Sequence, residues 1–159
     1  MKVLRAAHVA QERIAVPTDR HCCVYAESVL RIAFGSDLVD AVPPSRWRIF
    51  RGEPIWSPVL AANEAGIALE YTLPPTTPVP LAGADHLCQG WRRLPGARGA
   101  ADPGSGHTFL WHAVTSARGW RVDSTEARGP KLEGLLAWAD VIDEFQAGVA
   151  VAALRPPPR

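Results

Sequence analysis

TDRHCCVYAESVLRIAFG, residues 18–35, sets two adjacent cysteines at the start of a stretch with helical spacing. Thr18 or Asp19 can cap it, because a side-chain oxygen there accepts an otherwise orphaned backbone N–H. Apolar or small residues then recur at Cys22, Tyr25, Ala26, Val29, Ile32 and Ala33, one face of a helix. Gly35 is the expected stop. On this reading Cys22 points inward, while Cys23 lies above Glu27 and beside Arg31, toward solvent.

The rest of the chain must supply a surface for that helix. With 159 residues, 47% of them hydrophobic and 21% charged, the expectation is one domain over residues 1–154 and a Pro-rich tail at 155–159. A net charge of +1 with interspersed acids gives no basic stripe, so nucleic acid is not an expected partner. Three cysteines, two of them neighbours, do not make a disulfide framework and fit a reducing compartment. MKVLRAAHVAQERIAVP, residues 1–17, is broken by charge and lacks a secretory core. No run of about 20 apolar residues suggests a membrane span. The expectation is cytoplasmic synthesis without a signal peptide. Work in the periplasm, the cell wall or a target cell would then need a secretion or phage-type delivery device.

Residues 36–56, with Pro43, Pro44 and Pro54, read as an irregular loop. Ser57 as cap, Pro58 in the first turn and Gly66 as terminator frame a short helix. Strands are expected at 67–73, 86–91, 107–114, 120–127 and 149–154, with 115–119 closing a hairpin. LLAWADVIDEFQAG, 135–148, reads as an amphipathic helix. A leading helix followed by mainly antiparallel strands defines an α+β domain.

A cysteine in the first turn of a helix has its thiolate favoured by unpaired N–H groups and the helix dipole. The inward face selects Cys22 as nucleophile; the bland alternative is a small residue that packs. His107 follows a Gly-rich loop and opens a strand, where its ring could take the thiol proton and later protonate a leaving amine. His112, five residues on, belongs to the opposite face. His8, His21 and His86 read as incidental, although His21 abuts Cys22 and could tune it. Asp123 or Glu126 on the returning strand could orient the imidazole, the hairpin register being open. The N–H of Cys22 is an oxyanion donor with Gln89 as a conceivable partner, and Trp91 and Trp111 could line a substrate groove. Adjacent cysteines and His86-x-Cys88 do not match zinc spacing, so no metal or other cofactor is expected.

The order of these pieces resembles the papain-like NlpC-type cell-wall peptidases and amidases. HCCVYAESVL is similar to their cysteine-bearing helix start, with Cys22 at the nucleophile and Tyr25 at an aromatic position. CQGW, GHTFLW and VDSTEARGP resemble the segments around their histidine strand, over roughly residues 18–145. Glu126-Ala127-Arg128 echoes a Glu-containing stretch that follows that strand, which favours Glu126 over Asp123. His21 stands where those sequences carry aspartate, and their Tyr-Val-Trp-Gly segment is missing. The resemblance implies a papain-like fold with the cysteine helix packed on the sheet. It also implies a cysteine hydrolase acting through a thioester on a peptide of peptidoglycan. A deamidase or acyltransferase acting on a protein target uses the same dyad. A non-catalytic binding domain keeping the fold is the rival outside enzymes.

Overall fold

The computed structural model describes residues 21–47, 56–92, 106–125 and 129–156, with residues 21, 123–125 and 129–134 described at the backbone alone. Five helices occur among them: α1 (His21–Phe34), α2 (Ser36–Asp40), α3 (Pro44–Trp47), α4 (Ser57–Glu64) and α5 (Trp138–Glu144). The strands are β1 (Ala68–Thr72), β2 (Asp85–Trp91), β3 (Gly106–Ala113), β4 (Arg118–Thr125), β5 (Gly129–Ala137) and β6 (Gly148–Leu154). They form one sheet in the order β1-β6-β2-β3-β4-β5, antiparallel at every pairing. The fold is therefore α+β with an antiparallel sheet.

Both faces of the central strands are covered. Leu87, Leu110, Val122, Ala150, Ala152 and Leu154 face α1 and α4, packing on Tyr25, Val29, Leu30, Val59 and Ala62. Their sequence neighbours Cys88, Phe109, Trp111, Val149 and Val151 face α5, meeting Trp138, Val141 and Phe145. Alternate residues point to opposite sides of a strand, so β2, β3 and β6 are apolar throughout because each side meets a helical layer. At the edge, β1 is mostly exposed.

The hairpin expected at 115–119 is present. Thr115 Oγ1 accepts from the N–H of Ala117 (3.2 Å) and of Arg118 (3.1 Å), and Val114 N–H donates to the Arg118 carbonyl. Ala113 is thereby set opposite Gly119 and Leu110 opposite Val122. A Cβ at residue 119 would stand 2.4 Å from the His112 carbonyl oxygen, so glycine fills that position.

Several expectations need correction. Residues 36–47 hold two short helices rather than a loop, α3 opening on Pro44, whose fixed φ and missing N–H suit a helix start. Ser57 is the first residue of α4; Trp56 is its N-cap, with no side-chain cap bond. The stretch expected as one helix over 135–148 is divided: Leu135–Ala137 end β5, α5 stops at Glu144, and Gly148 opens β6. Because β5 is an edge strand, the missing N–H of Pro130 can fall on its unpaired side. Gly35 and Gly66, both at positive φ, follow α1 and α4 as expected. Thr18, Asp19 and the loop at 95–105 lie outside the described residues.

The buried stripe of α1 is also rotated from the expected one. Cys23, Ala26, Glu27, Leu30 and Phe34 are buried, whereas Ile32 is exposed and Cys22 half-buried. Tyr25, Ala26 and Val29 keep their inward place. Glu27 can be buried because Arg31, one turn on, pairs with it at 2.9 Å and reaches Asp40 at 2.5 Å. A charged residue with a partner of its own overrides the polar-outward rule.

Candidate active site

α1 packs on β3 and β4, which brings its first turn to the start of β3. There Cys22 Sγ has three donors near it that favour its charge, the Cys23 thiol 4.0 Å away, the His107 ring and the backbone N–H of Thr108. The first two donors are side chains and the third is main chain, so the sulfur is ringed from its own helix and from the sheet. Hydrogen bonding by Cys23, then by His107 and Thr108 with the charge of the His107 ring, outweighs burial and lowers the Cys22 thiol from 9.0 to about 4. On this balance Cys22 is a thiolate at neutral pH.

The two neighbours differ in environment. Cys23, expected toward solvent, is buried against Trp91, with Trp56 and Ala147 beside them. Its Sγ lies 3.4 Å from Thr108 Oγ1 and 4.0 Å from Cys22 Sγ. Alternation along β3 explains this. Thr108 shares the helix-facing side with Leu110, while His107 shares the other side with Phe109. Cys22, at the very start of α1, meets β3 where the strand begins and so reaches both residues.

His107 stacks on Phe109 and Phe145, each 6.3 Å away between ring centroids with 17° between planes. Phe109 and Phe145 stack on each other at 5.5 Å. Beneath them the Arg121 guanidinium lies 4.5 Å from the Phe109 centroid and 5.4 Å from that of Phe145, and Arg92 lies 5.0 Å from Phe145. Glu144 joins the two cations, at 2.6 Å to Arg92 and 2.5 Å to Arg121. Burial opposes ionisation of Glu144, yet the Arg121 and Arg92 guanidiniums hold its carboxyl below the usual range.

Gln89 is fully buried on β2. Its Oε1 accepts from Val59 N–H (3.3 Å) and its Nε2 donates to Thr108 Oγ1 (3.2 Å), so its amide is engaged between α4 and β3 rather than open to a cleft. Trp91 packs against Cys23, and its Nε1 is buried with no acceptor among the described residues. Trp111, considered for a groove, is core, edge-on to Trp138 at 5.1 Å. Asp123 follows Val122, the last β4 residue paired with β3, and its backbone pairs with Lys131 on β5. Glu126 lies outside the described residues.

His86 and His112 are held in contacts away from Cys22. His86 Nε2 accepts from Leu81 N–H (3.0 Å) and Nδ1 donates to the Trp111 carbonyl (3.3 Å), while burial pushes its pKa down. His112 faces Asp85 directly across β2 and β3, with Nδ1 2.7 Å from the carboxylate. Cys88 lies on the α5 side of the sheet, and burial raises its pKa. Among the described residues no group of three or more His, Cys, Asp and Glu side chains gathers as a metal site. No described helix is long and apolar enough to cross a membrane.

Thr108, Phe109, Phe145 and Arg121 were not singled out by sequence. Thr108 could have been: with His112 it is one of two polar side chains in the helix-facing register of β3. Arg121 carries no such signal, since a single Arg in a β-strand reads as solvent-facing. Comparison with protein-family models, with curated proteins and with solved structures returned no match.

Proposed function

We propose that this protein is a papain-like cysteine hydrolase that cleaves an amide bond, with Cys22 as nucleophile and His107 as acid and base. The observation that carries this is the Cys22 thiolate held against the His107 ring at the start of α1. Structural cysteines are buried in apolar surroundings with raised pKa, as Cys88 is; Cys22 is half-buried and lowered.

The arrangement supports a balanced acyl transfer. Cys22 Sγ attacks the amide carbon, and the carbonyl electrons move to oxygen. As that tetrahedral species collapses, the imidazolium proton passes from His107 to the leaving nitrogen and the C–N bond breaks. A thioester and a neutral His107 remain. Water, deprotonated by His107, then attacks the thioester and expels Cys22 as thiolate. The Cys22 N–H, in the first turn of α1, is suited to receive the developing oxyanion. Phe109 and Phe145 fix the ring plane of His107, which reduces the part left for Asp123 or Glu126 to choice of tautomer.

The resemblance to NlpC-type enzymes suggests a peptide amide of peptidoglycan as substrate. Incubation with defined muropeptides, read by mass spectrometry, tests the reading. Wild-type protein should yield two peptide fragments whose masses sum to substrate plus water, and Cys22→Ala none. Unchanged muropeptides, or equal cleavage by Cys22→Ala, would remove the proposal.

A further inference from the structure

We infer that Cys23 and Thr108 are positioning residues, links in a polarised hydrogen-bond chain running from α4 to Cys22 that sets the nucleophile's charge. The inference rests on Cys22 being the nucleophile, and it reverses the expectation that Cys23 is a bystander.

The direction of the chain follows from which groups can only donate. Val59 N–H is a donor, so the Gln89 atom 3.3 Å from it acts as acceptor and is Oε1. The other end of that amide is then Nε2, which donates to Thr108 Oγ1 at 3.2 Å. A hydroxyl has one hydrogen, and Thr108 cannot spend it on an NH2 group. Cys23 Sγ lies 3.4 Å from that hydroxyl and can take its hydrogen, which the chain proposed here requires. Cys23 therefore accepts from Thr108 and has its own S–H to donate, and Cys22 Sγ stands 4.0 Å away. A thiolate only accepts. The whole chain thus runs one way, from a backbone N–H of α4 to the negative sulfur.

Burial makes the chain consequential. Gln89, Thr108 and Cys23 are withdrawn from water, so no solvent molecule replaces a missing link. The groups that reach Cys22 from other elements are His107 and the Thr108 N–H, both on β3; along α1, Glu27 is already paired with Arg31. Thr108 acts twice, directly through its main chain and through its hydroxyl by way of Cys23.

The test is the pH profile of Cys22 alkylation by iodoacetamide, followed by peptide mapping, for wild type, Cys23→Ala, Cys23→Ser and Thr108→Val. Cys23→Ala and Thr108→Val should each move the midpoint upward, by about one unit, a tenfold loss of thiolate below the midpoint. Cys23→Ser keeps a donor and should stay near wild type. An unmoved midpoint in Cys23→Ala or Thr108→Val, or a Cys23→Ser midpoint displaced as far as that of Cys23→Ala, would overturn the chain. Thr108→Val preserves shape and backbone, so it carries the test if Cys23→Ala does not fold. The outcomes separate the two claims. A wild-type Cys22 titrating near 9 removes the thiolate on which the proposed function stands, whereas a low wild-type midpoint that no variant moves removes the chain alone.

Discussion

The ring of Phe145 occupies the space that a side chain at Gly90 would fill, for a Cβ at residue 90 would meet the ring at distances as short as 2.1 Å. Gly90 lies directly opposite His107 across β2 and β3. Its missing side chain is what lets Phe145 slide over the strand and stack on the imidazole.

Gly90→Ala should therefore push Phe145 off both Gly90 and His107. The ring cannot yield easily, being also stacked on Phe109 and capped by Arg92 and Arg121. Overpacking of this kind costs about 1–3 kcal/mol. A lowered midpoint in chemical denaturation, with kcat reduced more than KM is raised, is the expected result. Unchanged stability would mean that the layer under His107 is loose.

The pH dependence of Cys22 has a definite sign. Its pKa falls from 9.0 to about 4, so the thiolate is present above about 4 and lost as pH drops through that value. Alkylation of Cys22 should stay fast at pH 6, where a free thiol near pKa 8.5 is about 0.3% ionised. It should fade only toward pH 4. Cys88, buried and raised, should not react in the folded protein at either pH. Cys22 reactivity that begins only above pH 8 would contradict the site geometry.

How much of this was legible in sequence depends on what each residue's neighbours in the chain reveal. Strands β1, β2, β3, β4 and β6 and helix α4 were legible because turn residues bracket them: Gly66 after α4, the Pro-rich stretch at 74–80 before β2, and Thr115 in the hairpin. β5 was not, because Pro130 and Gly134 contradict strand propensity and only its place at the sheet edge makes them tolerable. The facing of the two cysteines failed for a different reason. Glu27 reads as a solvent residue, yet it is buried and paired with Arg31, which also reaches the exposed Asp40, and the inward stripe is rotated onto Cys23. No periodicity analysis of α1 alone contains Asp40, which belongs to the next helix. That Phe145, 38 positions beyond His107, would support its ring was not expected from the sequence.

Glu144 gives a second pH effect at the opposite side of the sheet. Because Arg121 and Arg92 hold its folded pKa below the ordinary 4.5, the stability it contributes is complete above that ordinary value and disappears as pH falls through the lower folded one. Arg121, buried and with its guanidinium against Phe109, has most at stake. Glu144→Gln should destabilise the protein by about 1–3 kcal/mol at pH 7, the range for weakening a partly exposed partner of a buried charge. In acid below the folded pKa the variant and wild type should converge. Urea titrations from pH 7 stepwise into acid measure both; a gap that does not narrow as the pH falls would show that the carboxylate charge is not what Arg121 requires.

Trp91 offers the last and most separable prediction. Its Nε1 is buried beside Cys23 with no acceptor among the described residues, a donor whose desolvation they leave uncompensated. Removing only that N–H, by Trp91→Phe, keeps an aromatic ring on Cys23 and discards the unsatisfied group. Loss of packing volume and relief of the orphan donor oppose each other, so the net change in stability should stay within about 1.5 kcal/mol, the range for conservative core exchanges. A buried donor next to a nucleophile has a use once a substrate carbonyl enters, because a hydrogen bond then forms at a group already stripped of water. Turnover should accordingly fall about tenfold or more, the scale of one lost hydrogen bond to a developing charge. The denaturation midpoint and kcat/KM on a cleaved muropeptide decide the matter together. A variant as active as wild type would assign the indole N–H to packing alone, and a collapse of stability without a selective loss of turnover would do the same.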